Sequence, residues 1–514
     1  MLIIRNLIAS ASALALVACA AGPDAVAPIV PPTASGPFLS AGEPGLDAGT
    51  PAEGDWWRLY RDPVLDRLIA EALAANTDIR VAVARLGRAK ASLREVRAQR
   101  TPQIGIDAGA QYGRLPAQGA PGGDRESLLV DVGVGVSYEA DLFGRVSRGV
   151  EAARGDVAAA DADIAAAQVL IVAETVRAYA DAASAAERQA VAERIVALLD
   201  RSILLTQRRY EVGLGQRLDV ARIAALRQQR QAEVPTLVAE RQAALFRLAT
   251  LTGRTPAELP PEAGARRETL RIDQPIPVGD GAALLARRPD VRAAERRLAA
   301  ATARIGVATA DLYPRITLGG SFGSSGAGLG NLFGAGPLTW LLGPLLSWTV
   351  NREPARARIA AAEADTQAAL ATFDGTVLRA LEETETALSN YARLLDRRTA
   401  LQAAFGEAET AVRITRARQR EGEINSLELL DAERTVADAE AAVASADAAI
   451  ADAQVELFRA LGGGWAHARP SHTPRSAEIT SGEIQPNLSD RSDAIGSGSI
   501  GRERVSAPLR PLGV

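Results

Sequence analysis

Two stretches of the chain alternate greasy residues with small or polar ones. Ile104, Ile106, Ala108, Ala110 and Tyr112 interleave with Gln103, Gly105, Asp107, Gly109 and Gln111; Leu128, Val130, Val132, Val134, Val136 and Tyr138 interleave with Asp131, Gly133, Gly135, Ser137 and Glu139. Successive side chains of a strand point to opposite faces, so the pattern predicts strands over about 103–114 and about 127–139, each apolar on one side. Ile316, Leu318 and Phe322 alternate in the same way with Thr317, Gly319 and Ser321, giving a third strand over about 315–323. A fourth and less regular one covers about 339–350 and carries Trp340 and Trp348, a residue type that anchors at lipid headgroups. Alternation alone fits a half-buried soluble sheet as well as a sheet whose apolar face meets lipid.

Elsewhere the pattern is helical and rich in alanine, which lets backbones approach closely at little cost in rotamer entropy. From Gly144 to Glu211 there is no proline, and at 1.5 Å per residue such a helix is on the order of 100 Å long. A rod of that length cannot bury itself in one globule and must pack side by side with neighbours. Val191, Leu198, Leu205 and Val212 lie seven apart, as do Leu429, Val436, Val443, Ile450 and Leu457, the seam period of coiled coils. Glycines in Tyr210-Glu211-Val212-Gly213-Leu214 and Arg420-Glu421-Gly422-Glu423 mark sharp reversals into return helices. Pro235 is expected to kink the first of these, because it removes a backbone donor.

The chain also repeats itself. Asp78, Arg85-Leu86, Pro102 and Leu245-Phe246-Arg247 recur as Asp290, Arg297-Leu298, Pro314 and Leu457-Phe458-Arg459, each 212 positions on. Each half reads as a helix of roughly 35 residues or fewer, a strand pair, a very long helix, a turn and a return helix.

Composition narrows the class. Aromatic residues make up 4% and charged residues 23% of 514, so thick globular cores do not dominate. A net charge of −4 gives no reason to expect nucleic acid as a partner. His467 and His472 are the only histidines and lack the supporting cysteines or clustered acids of a metal site. At the N-terminus, Arg5 and the apolar run Leu7 to Ala18 have the form of an export signal, too short to span a bilayer. Leu16-Val17-Ala18-Cys19 resembles the lipobox of bacterial lipoproteins, in which the cysteine becomes the lipidated N-terminus; the plain alternative is a chance cysteine in a discarded signal. Ala20 follows it rather than an aspartate, which in such lipoproteins favours release to the outer membrane. Cys19 is the sole cysteine, so no internal disulfide is available. No later stretch has 18 consecutive apolar residues, so membrane crossing would fall to the strands. Four strands are too few for a membrane barrel, whereas three copies would supply twelve.

At Trp56-Trp57, Asp62-Pro63, Leu65, Asn76 and Asp78-Ile79, at Asp141-Leu142-Phe143-Gly144-Arg145, and at Arg288-Pro289-Asp290-Val291-Arg292-Ala293-Ala294-Glu295, the sequence resembles the TolC-type outer-membrane efflux family in its lipidated OprM/NodT branch. Leu430-Asp431-Ala432-Glu433-Arg434 and Ala460-Leu461-Gly462-Gly463-Gly464-Trp465 carry the same resemblance at its end, so that it covers residues 50 to 465. It implies an α+β membrane protein: a homotrimer with a twelve-stranded transmembrane β-barrel, continued by an α-helical coiled-coil barrel with an equatorial belt. The expected layout is a signal peptide at 1–18, a lipidated equatorial segment at 19–62, a first repeat at 63–252, an equatorial connection at 253–280, a second repeat at 281–465 and a disordered tail at 466–514. Implied partners are outer-membrane lipid, a periplasmic adaptor and an inner-membrane transporter of the resistance-nodulation-division class. No cofactor is implied apart from the lipid on Cys19.

In such a duct the functional residues control width and docking. Glu428 and Asp431 are three apart and share a helical face. By resemblance they match the family's acidic constriction, with Asp219 as partner on the first return helix, whereas the spacing by itself is also that of an ordinary solvated face. Tyr210, Gly213, Leu214, Arg420 and Gly422 at the turns are the implied adaptor contacts. Gln419 stands where the family often has tyrosine, and Ile424 where some members carry a latch arginine, so the closed-state lock is expected to differ. Rival readings are a duct for secreted polypeptides and a pore-free periplasmic scaffold. An enzyme is disfavoured, since there is no nucleophile elbow, phosphate loop or metal spacing.

Overall fold

The computed structural model describes residues 20–50, 54–114, 126–327, 338–424 and 426–463. The export signal, Cys19, His467, His472 and the tail lie outside these residues. The first half comprises α1 (Pro63–Ala75), α2 (Thr77–Ala98), β1 (Gln103–Arg114), β2 (Glu126–Ala140), α3 (Arg145–Glu211), α4 (Arg217–Gln231) and α5 (Glu233–Leu251). The second comprises α6 (Gly281–Arg287), α7 (Pro289–Ala310), β3 (Arg315–Ala327), β4 (Leu338–Ser347), α8 (Glu353–Arg420) and α9 (Ser426–Ala460).

The opening helix of each half is split, which the periodicity did not show. Asn76 is extended (ψ 135°), and its side chain accepts from the amides of Asp78 and Ile79, so it caps α2 and ends α1. Its amide also donates to the carbonyl of Leu251 at 3.1 Å, tying α2 to the end of α5. At the matching break, Pro289 confines Arg288 to an extended conformation (ψ 120°). The first return helix breaks at Ala232, which leaves Pro235 in the opening turn of α5, where a missing N–H costs nothing.

The strands form one antiparallel sheet in the order β1-β2-β3-β4. Its register aligns Ile106, Val134, Phe322 and Trp340 on one face, and Asp107, Gly133, Gly323 and Thr339 on the other. Glycine lets neighbouring backbones close up on the polar side: a Cβ on Gly323 would lie 2.8 Å from the Val132 carbonyl oxygen. β4 breaks the two-face rule, since Leu341 and Leu345 point to the otherwise polar face and are 67% and 60% exposed.

Each strand runs into or out of a helix, and the lateral order is preserved. α2 packs on α3, α3 on α7 and α7 on α8, the order of the strands they adjoin. Further along, α5 packs on α3, α3 on α9 and α9 on α8. α3 and α8, of 67 and 68 residues, therefore run through both levels, each on the order of 100 Å long. No extensive packing joins α8 to α2 or α5 among the described residues, so the row of helices is open on the same two sides as the sheet.

The large apolar core surrounds the middle of α3 and α8. Trp56 stacks on Phe458 with centroids 4.5 Å apart, and Phe38, Trp57, Tyr60, Leu270, Ile276 and Leu388 belong to the same cluster. The segment before α1 and the connection after α5 are stitched together by parallel pairing of Leu46–Asp47 with Ile276–Pro277. Asp62 caps α1 with one carboxylate oxygen and, with the other, accepts from Tyr179 at 2.9 Å and Arg266 at 3.0 Å. Burial, followed by the neighbouring Asp62 charge, pushes the Tyr179 hydroxyl above its ordinary pKa.

The heptad rows only partly mark the contacts. Leu198, Leu205 and Val212 are 39%, 61% and 68% exposed, and the buried seam there is Val191, Ile195 and Leu199 against Ile223, Ala437 and Ala444. Of the second row, Ile450 and Leu457 are buried while Leu429, Val436 and Val443 are half-buried. A helix in a single-layer wall touches neighbours on two sides, and alanine carries much of that contact, so the large residues do not trace it.

Arg288 is the counterpart of Asn76. Its guanidinium donates to the Ala460 carbonyl at 2.9 Å, Asp290 at 2.7 Å and Glu383 at 2.9 Å, joining α7, α8 and the end of α9. Burial opposes the charge on Asp290, but the bonded Arg288 guanidinium outweighs it and holds the carboxyl below its ordinary pKa. That contribution is complete above the unfolded carboxylate pKa of about 4 and is lost as pH falls through the lower folded value. Arg288→Ala is expected to destabilise the chain by about 3 kcal/mol, because it strands two acids and a carbonyl. The check is the denaturation midpoint in detergent at pH 7, where an unshifted midpoint counts against the hub.

Candidate functional site

Both hairpin tips are built alike. α3 ends with the Leu214 amide bonded to the Arg209 carbonyl at 2.8 Å, and Gly213 holds φ +76°. α8 ends with the Glu423 amide bonded to the Arg418 carbonyl at 3.0 Å, and Gly422 holds φ +79°. This is the left-handed helix end that glycine permits, and it turns each rod back within a few residues. Tyr210, Leu214 and Arg420 are exposed at these ends. Val212 and Leu214 together make an apolar tip.

The candidate gate acids lie just behind the tips. Asp219 is half-buried in the first turn of α4, whereas Glu428 and Asp431 are exposed at the start of α9. Asp219 and Asp431 are 212 positions apart and so occupy equivalent places in the two halves. Asp219 and Asp431 stand on different return helices, α4 and α9.

One residue was missed by the sequence reading. Glu433 is buried, and its carboxylate accepts from the Ser202 hydroxyl at 2.8 Å and the Arg416 guanidinium at 3.3 Å. It therefore ties α9 to both long rods two residues past Asp431. The signals in the sequence are its membership of the Leu430-Asp431-Ala432-Glu433-Arg434 segment that carries the family resemblance and its place in the buried phase of α9, four before Ala437. Gln419 and Arg420 line the cleft around it with Arg201, Leu205 and Ile223. Ile424 is buried beside the second tip, so the position where some members of the resembling family carry a latch arginine holds an apolar anchor.

At the other end the sheet presents a broad greasy surface. Ile104, Ile106, Tyr112, Leu318, Phe322, Leu342 and Leu346 are all exposed on one face, with Trp340 75% exposed. Water-exposed apolar patches on soluble chains rarely extend so far. Trp348 lies past the other end of β4, its indole N–H donating to the Leu312 carbonyl at 3.1 Å and Arg352 lying 5.5 Å over its ring. At about 3.4 Å per residue the two tryptophans stand about 27 Å apart along the chain, close to the roughly 25 Å height of an apolar barrel band. Ala20–Gly22 run against the junction below: the Ala21 amide donates to the Phe143 carbonyl at 3.0 Å, and Arg148 pairs with Asp24 at 2.7 Å. The described residues contain no group of three or more potential metal ligands, and no described helix is long and apolar enough to cross a membrane.

A greasy open-edged sheet prolonged by paired helical rods defines a class of membrane protein in which the sheet meets lipid and the rods stand away from it. The chain belongs to the outer membrane efflux protein family, whose profile matches residues 68–254 and again 282–463. It is 33% identical over 463 residues to outer membrane protein OprJ of Pseudomonas aeruginosa, covering 89% of this chain and 95% of that protein. The pyoverdine export outer membrane protein OpmQ of Pseudomonas putida is 29% identical, with 81% and 89% covered. Among solved structures, the outer-membrane channel OprN superposes with a TM-score of 0.80 at 37% identity, covering 87% of this chain and all of that one (100%). The open state of the MtrE channel of Neisseria gonorrhoeae gives 0.73 at 29% identity, with 87% and 99% covered. The protein is thus an outer-membrane efflux protein, and its family is one of channels, not of enzymes.

Glu433→Ala should loosen the tip by stranding Arg416 and Ser202, seen as faster amide exchange in residues 416–433 than in the belt helices. Equal exchange in the variant and the parent would remove Glu433 from the tie. Gly213→Ala and Gly422→Ala, which force alanine into a left-handed conformation, should each cost about 1 kcal/mol, measured in the same denaturation series.

Proposed function

We propose that three copies close side by side into a twelve-stranded transmembrane barrel with a helical barrel beneath it, forming the exit channel of a tripartite efflux pump. The observation that carries this reading is the shared lateral order of strands and helices, open along the same two edges. In lipid, an unpaired strand edge is excluded, and joining β4 of one copy to β1 of the next removes it. The duplicated halves then give each copy two rods and two spliced partners at either level of the wall.

The channel conducts passively. A periplasmic adaptor seats on the tips around Tyr210, Gly213, Leu214, Arg420 and Gly422, and an inner-membrane transporter of the resistance-nodulation-division class supplies the energy. Cargo is small molecules, a reading favoured over polypeptide secretion because the relatives' names refer to pyoverdine, toluene and antibiotics. Cys19 carries a lipid. Its neighbours Ala20 and Ala21 lie at the foot of the sheet, where an acyl chain would enter the bilayer. Asp219, Glu428 and Asp431 form acidic rings that narrow the lower opening and draw cations in.

In planar bilayers the purified protein is expected to give discrete cation-preferring currents, whereas well-folded protein without conductance would defeat the channel reading. Glu428→Ala with Asp431→Ala should raise conductance and reduce cation preference; unchanged currents would remove these two acids from the gate. Mass spectrometry of membrane-extracted protein should show an acylated N-terminal cysteine that Cys19→Ser abolishes.

A further inference from the structure

Resting on the side-by-side assembly above, we infer that a charge match between α2 and α8 sets how neighbouring copies join. The two helices stand at opposite ends of the row, with α3 and α7 between them. Arg80, Arg85, Arg88, Lys90, Arg94 and Arg97 are exposed along α2, and none makes a hydrogen bond or ion pair with a described residue. The acids of that helix, Asp78 and Glu95, are too few to balance them. Along the upper part of α8, Glu363, Asp365, Asp374 and Glu382 are exposed and likewise unpaired among the described residues. The exposed cation in that stretch, Arg379, bonds to Thr376.

A run of like charges on one helix repels itself and destabilises the isolated chain. It becomes favourable only beside an opposite row, and the intervening helices keep α8 of the same chain out of reach. The complement must therefore come from a second copy, head to tail, which generates a closed ring rather than a two-fold pair. The faces also fit sterically. Ala84, Gly87 and Ala91 are exposed on α2, and Ala364, Ala368 and Ala371 on α8, so the backbones can approach closely with the charged side chains flanking the contact.

The strand junctions fix the register. α2 leads into β1 and α8 leaves β4, so β4–β1 pairing across the joint places the membrane-side ends of both helices level. Counted from there, Arg88 and Lys90 lie about three turns down α2, as do Glu363 and Asp365 down α8; Arg80 and Asp374 both lie about five to six turns down. The match thus selects one alignment between copies, and like charges face each other if the helices slip.

The test reads dissociation of the detergent-solubilised oligomer by light scattering behind gel filtration. Arg88→Glu with Lys90→Glu, and separately Glu363→Lys with Asp365→Lys, should each increase dissociation by about tenfold, and all four together should restore the parent value. If the parent is trimeric and the reversals leave dissociation unchanged, the pairing is wrong and the trimer stands. If the parent itself is monomeric, both fall. Should a reversal fail to fold, Arg88→Gln with Lys90→Gln replaces it: added salt should weaken the parent oligomer and not this variant, and equal salt dependence overturns the pairing. Lys90→Cys and Glu363→Cys chains, co-expressed, should form a disulfide between copies, and a correctly assembled trimer without it also counts against the inference.

Discussion

Everything in this molecule follows from the hydrogen-bonding needs of a sheet that lies in lipid. A bilayer offers no water to the backbone groups along the outer sides of β1 and β4, and leaving them unpaired costs several kcal/mol each. Among the described residues this sheet has four strands with which to meet that requirement. Its greasy face is equally incomplete in water. The proposed joining of copies edge to edge within a membrane would meet both deficits at once.

The helical part inherits its layout from that sheet. Because each strand continues into a helix, the lateral order of strands is imposed on the rods, and a single-layer wall results instead of a bundle. Such a wall has no interior, so it cannot be stabilised by large side chains packed on all sides. Alanine seams, bonded helix ends and ion pairs between adjacent rods take that role, as with Arg177, which binds Asp452 and Glu456 at 2.7 Å each across α3 and α9. The belt is the exception. There the N-terminal segment lays aromatic residues and the connection between halves lays aliphatic ones over the rods, and Trp56 stacks on Phe458 in the largest core among the described residues.

The two hairpins end in the same glycine-dependent turn, and the belt ends of α5 and α9 repeat it at Gly253 and Gly462, with φ +70° and +69°. Gly253 faces Ala75 at the end of α1 and Gly462 faces Arg288 at the start of α7, so the chain reversals of both halves are locked by comparable contacts. The apolar side of the first hairpin tip is left uncovered, while Glu433 braces the acids behind the second.

Strand pattern, rod length and tip position were legible in the sequence because each is a local periodicity or a glycine signal that needs no knowledge of neighbours. The breaks at Asn76 and Arg288 were not, since they depend on a side chain reaching a distant helix end. Nor was the true seam: Leu198 and Leu205 look like contact residues by spacing but lie outside the contact, because two-sided packing of alanine carries no period of its own. Glu433 looked like any surface acid until α3 and α8 closed over it. The sequence by itself determined which segments are strands and rods and that the sheet has a greasy side, through side-chain direction and turn chemistry. Only the tertiary structure decided that helices keep the order of strands and which edges stay open, because lateral order is a property of contacts between segments far apart in the chain.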